Sequence, residues 1–83
     1  IQQTYKDKLD EIAVLMGYAD WDTMYLTLDD DNFLWEVCQR EAVYGAEFVY
    51  ASGDLGAHNP NYANALLDNA IDYLTNTCVV PAP

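Results

Sequence analysis

The sequence predicts an all-α fold, a small acidic bundle of three to five helices. Three observations predict it. Apolar residues recur at three- and four-residue spacing through most of the chain, the period of one face of a helix. Start and stop signals, with Gly17 and Asn59-Pro60 foremost, divide that pattern into helix-sized pieces. The chain is also 52% hydrophobic, with seven Tyr, two Trp and two Phe. Acidic segments that stay disordered have too little apolar surface to bury, and this one has enough. At 83 residues it is a single acidic helical domain, 1–83, with residues 79–83 expected to fray.

Residues 4–16 form the first predicted helix. Thr4 and Asp7 make a variant capping box. Tyr5, Leu9, Ile12, Ala13 and Met16 share a face, and Gly17 stops the helix. Residues 18–32 hold Trp21, Met24, Tyr25 and Leu28 at helical spacing, with Asp20 or Asp22 as the cap. Thr23 to Leu28 is also rich in β-formers. A helix is preferred, because a lone strand has nothing to pair with. Asp29, Asp30, Asp31 and Asn32 then end that segment and cap the next.

A helix over 32–43 is expected to turn Phe33, Leu34, Val37 and Cys38 inward, helped by the acids at its start. The apolar pattern loses phase at Val43-Tyr44-Gly45, which predicts a break or kink. A short helical piece follows from Glu47 to Ser52, then a loop marked by Gly53, Gly56 and Asn59. The final helix has Asn59 as cap and Pro60 at its first position. Ala63, Leu66, Leu67, Ala70, Ile71 and Leu74 make its stripe, with Asn61, Asn64, Asp68, Asp72 and Asn76 opposite.

Charge narrows the function. Fourteen acids face three bases, the formal net charge is −11, and no Lys or Arg follows Arg40. Such a surface repels nucleic acid and anionic lipid, so direct binding to DNA, RNA or membrane is not expected. No apolar run reaches the roughly 18 residues that span a bilayer. Cys38 and Cys78 fall on apolar helical faces, and the expectation is two buried, reduced thiols rather than a disulfide.

Catalytic patterns are thin. His58 lies near Ser52 and Asp54, but no nucleophile elbow surrounds the serine. The Asp cluster offers hard oxygen donors. Counted from Asp29, however, Leu34 and Arg40 stand where an EF-hand needs Gly and Glu. Neither cysteine has a further Cys or a His at zinc-ligand spacing. Residues 69–74 look like the last helix of acyl carrier proteins, but Ser52 is the sole serine and reads Ala-Ser-Gly, not Asp-Ser-Leu. The expectation is therefore no enzyme, no cofactor and no metal.

What remains is a surface. The acids run along the whole chain rather than forming one block. The candidate partner-binding set is Asp20, Asp22, Asp29, Asp30, Asp31, Glu36, Glu41, Glu47, Asp54, Asp68 and Asp72. Trp35 lies opposite Val37 on its predicted helix and is the candidate aromatic anchor, since exposed Trp ringed by acids suits a protein contact. Duplex DNA carries one charge per roughly 1.7 Å, so a net −11 matches about 20 Å of duplex. A homodimer would double that length.

The order of elements resembles the phage antirestriction proteins of the overcome-classical-restriction type, over residues 4–77. The family's Asp-Asp helix start falls on Asp30-Asp31. Its Val-Tyr segment, with Ala and an acid behind, falls on Val43, Tyr44, Ala46 and Glu47. Its Ala-Ser turn falls on residues 51–55, and its last helix on 61–77. The family's Pro beside the Val and its very acidic tail have no counterpart in these residues. The resemblance implies an acidic helical dimer that imitates DNA. Its partner would be a host restriction enzyme, or another basic DNA-binding protein or nuclease, met in the host cytoplasm. An acidic helical interaction module, such as an immunity protein or a nuclease or CRISPR inhibitor, is the alternative.

Overall fold

A computed structural model describes residues 3–52 and 60–78. The described residues are helical throughout their regular elements, as the sequence predicts. Helix α1 spans Gln3–Leu15. Tyr5, Leu9, Ile12 and Ala13 are buried on one face, the stripe read from the spacing. Thr4 lies inside the helix rather than capping it. The end is a Schellman motif. Gly17 has φ +94°, its N–H donates to Val14 O at 3.0 Å, and the Tyr18 N–H donates to Ala13 O at 2.9 Å. That backbone conformation strains any residue with a Cβ, so glycine belongs there.

Helix α2 covers Trp21–Leu26 and buries Trp21 and Met24. Asp20 caps it, accepting from the Thr23 N–H at 2.8 Å. Thr27 follows, and a single-turn helix α3, Leu28–Asp31, runs straight into a 3₁₀ turn at Asn32–Leu34. The acids at 29–31 are thus inside a short helix, where they were expected to end one and cap another. Helix α4 starts only at Val37 and continues unbroken to Ser52. Glu36 stands at its N-cap, and the Gln39 side chain reaches back to accept the Glu36 N–H at 2.9 Å, half of a capping box.

These boundaries overturn two expectations. The 3₁₀ turn shifts the helical phase, so Phe33, Leu34 and Val37 point to solvent at 69, 72 and 58% exposure instead of inward. No kink separates Val43 from Glu47 either. A helical glycine costs about 1 kcal/mol relative to Ala. Ala42, Val43, Ala46 and Val49 are buried on one face, and continuous packing across Gly45 outweighs that cost.

Helix α5 spans Pro60–Asp72 and opens on its proline as expected. Ala63, Leu67, Ala70 and Leu74 are buried, with Leu66 and Ile71 half-buried against them. Its last turn widens into a π-helix at Tyr73–Thr77, with the Cys78 N–H on Tyr73 O at 2.6 Å. That wider turn carries Cys78 to Cys38. The two are joined in a disulfide with Cα atoms 5.8 Å apart, which corrects the expectation of free thiols. Helix α5 packs against both α1 and α4, and α1 also packs against α2. The core is one cluster running through α1 to α5, the helices of the described residues. The expected cap Asn59, the loop before it and the frayed end at 79–83 lie outside the described residues.

Candidate functional site

The carboxylates are organised by the short connections. Asp10 on α1 accepts from Lys6 Nζ at 3.0 Å and from the backbone N–H of Trp21 at 3.0 Å. It thereby supplies one of the acceptors that the start of α2 lacks. Lys6 also pairs with Asp22 at 3.2 Å. Partial burial works against the Lys6 charge, but the bonds to Asp10 and Asp22 outweigh it and raise its pKa. Asp20 is held below the ordinary carboxylate range by the Thr23 hydroxyl and then by the Thr23 N–H.

Asp31 accepts from Tyr18 Oη at 2.7 Å and from Thr27 Oγ1 at 3.1 Å. Burial, and then the bond to Asp31, push the Tyr18 phenol up. Asp68 pairs with Lys8 at 2.9 Å, and Asp72 accepts from Asn76 Nδ2 at 2.7 Å. Asp29, Asp30, Glu36 and Glu41 are exposed and Glu47 is half-buried. Asp54 and His58 lie outside the described residues. None of the described acids is buried. The described acids lie on every helix, and the chain's three cations lie at Lys6 and Lys8 on α1 and at Arg40 on α4. No group of three or more His, Cys, Asp or Glu among the described residues is placed to hold a metal ion.

Trp35 is half-buried against the core, not standing free. Its ring meets Tyr18 edge-on with centroids 6.3 Å apart. A second aromatic group joins Trp21, Tyr25 and Tyr50, with the two tyrosine rings 4.9 Å apart. Both groups are packing contacts first.

Sequence reasoning missed a different feature. Val37, Tyr44 and Phe48 are exposed on α4. Spacings of seven and four place them on one stripe, with Glu41 between. That stripe is opposite Ala42, Ala46 and Val49, so α4 is apolar on two faces. Beside the stripe, Gly45 opens a mostly apolar groove of about 300 Å³ between α4 and α5, lined also by Glu41, Ala42, Leu66, Asn69, Ala70 and Tyr73. A Cβ at Gly45 would meet nothing within 4 Å. The signal was present in the spacing, but a helix assumed to break at residues 43–45 cannot show it.

The fold and site define a disulfide-stapled acidic helical bundle. Compared with known proteins, the chain matches no family model, no curated protein and no solved structure.

Proposed function

We propose that this chain is a non-catalytic acidic binding module that engages a basic surface of another protein. One observation carries the reading. On α4 the exposed carboxylate Glu41 lies in one stripe with the exposed side chains of Val37, Tyr44 and Phe48. Charge at a rim speeds and selects encounter, and desolvated aromatics supply most of the affinity. Imitation of duplex DNA, the narrower reading, draws support from the acids alone, since every described one reaches solvent on elements from α1 to α5. Phosphate imitation has no use for the aromatics.

We also infer an oxidising compartment rather than the cytoplasm. Disulfides persist where thiols are not kept reduced, and Cys38 is bonded to Cys78. No helix among the described residues is long and apolar enough to cross a membrane.

The test is capture at low salt on three immobilised baits: the native chain, a Tyr44→Ser/Phe48→Ser double variant, and an Asp29/Asp30/Glu36 variant neutralised to the amides. The binding-module reading expects basic partners that the double variant fails to retain. Duplex imitation expects loss on the neutralised bait alone, together with displacement by competing duplex. Partners held equally by all three baits would sink both.

A further inference from the structure

We propose that the groove between α4 and α5 is a docking site for a basic amphipathic helix of the partner protein. This rests on the binding-module reading and adds the partner's shape. Three features carry it. First, the surface is continuous. Glu41 and Gly45 line the groove, and Tyr44 and Phe48 adjoin them on the same helix. On the opposite wall Leu66 lines the groove, and the half-exposed Tyr62 lies one turn before it. Residues three and four apart on a helix are surface neighbours, so the aromatics flank the floor on both sides.

Second, the size suits a helix. The groove wall from Leu66 to Tyr73 covers seven steps, about 10 Å at the usual rise or two turns, and the exposed stripe from Val37 to Phe48 runs past the groove on α4 for about 16 Å, or three turns. A helix laid into such a groove presents its apolar stripe to the floor. The absent side chain at Gly45, with open space above it, leaves room for one residue of that stripe.

Third, charge selects the occupant. Glu41 lines the groove itself, and along α4 Glu41 and Glu47, with Glu36 at the N-cap, outnumber the one cation, Arg40. A second copy would bring another net −11 to the same place. A cationic helix instead gains at Glu41 and from the negative field of the whole chain, and its Lys or Arg can also lie over the Tyr44 or Phe48 ring.

A fluorescein-labelled 18-residue helix of Leu and Lys, with leucines on one face, is the probe. A scrambled peptide of identical composition is the control. Binding is read by anisotropy from 50 to 500 mM salt and mapped by amide shifts of the protein. The patterned peptide is expected to bind at least tenfold tighter than the scrambled one, with shifts at residues 37–49 and 62–73. Gly45→Leu and Phe48→Ser should each weaken it about tenfold with no loss of melting temperature. Glu41→Gln should weaken it only severalfold and flatten the salt dependence.

Equal affinity for both peptides would overturn the groove and leave the acidic binding surface standing. Shifts confined to other helices would do the same. Sedimentation showing a dimer that Gly45→Leu dissociates would assign the groove to a second copy and overturn the proposal. No binding of either peptide at 50 mM salt would sink both the groove and the binding-module reading.

Discussion

Asp20 shows how much one carboxylate does in a chain with so many. Its side chain closes the first turn of α2 by accepting the Thr23 N–H, the standard task of an Asp N-cap. The Thr23 hydroxyl and then the Thr23 N–H depress its pKa. A group whose folded pKa is lowered stabilises the fold above its unfolded value, near 3.8. That contribution is lost as pH falls through the folded value. Asp20→Ala should therefore lower the melting temperature at pH 7 by roughly several degrees. The gap from the native chain should close toward pH 3, which paired thermal melts at the two pH values would check. Asp20 was legible in the sequence as one of two candidate caps, with Asp22, and Tyr5, Leu9, Ile12 and Ala13 were legible as core and Gly17 as a stop. Phe33 and Leu34 were not. Their inward placement assumed an α-helix where the backbone takes a 3₁₀ turn, and that difference of phase moves both side chains to solvent. Phe33→Ser should accordingly leave the unfolding free energy from urea titration within about 0.5 kcal/mol of native, the usual range for an exposed site.

At the level of elements, α4 is the least legible part and the most informative. Gly45 reads as punctuation in sequence. In the fold it is spanned by one continuous buried stripe, Ala42, Val43, Ala46 and Val49. Because a Cβ there meets nothing within 4 Å, Gly45→Ala should stabilise the chain by up to about 1 kcal/mol, from helix propensity alone. A rise in the urea midpoint without change of slope is the expected reading. The final helix was legible through Pro60 and its Ala and Leu stripe, because that pattern stays in phase through thirteen residues. Its π-turn was not, since no residue type marks a widened turn. The turn matters because it brings Cys78 within bonding reach of Cys38. That bond closes a loop across a separation of 40 residues. In the chain-entropy view such a link contributes about 4 kcal/mol. Reduction, or Cys38→Ser with Cys78→Ser, should cost most of that in chemical unfolding, a large share of a small domain's stability.

The whole molecule carries a net −11 on 83 residues in a fold with a radius of gyration of 12.1 Å, about that of any compact domain of this length. Self-repulsion opposes such compactness and salt screens it. The melting temperature should rise between 10 and 200 mM sodium chloride, and a fall on adding salt would mean that the Lys6 and Lys8 ion pairs outweigh the repulsion. The acidic character of this surface was legible from composition. Its apolar component was not, because exposure depends on where α4 begins, and only the fold sets that. On the proposed reading, the carboxylates and the Tyr44–Phe48 face act together on a basic partner. Titrating a captured partner against the native chain and the Tyr44→Ser/Phe48→Ser variant, from 50 to 500 mM salt, tests it directly. Affinity should fall with salt for both proteins but be at least tenfold weaker for the variant at every salt concentration. Equal affinities, or binding indifferent to salt, would contradict it.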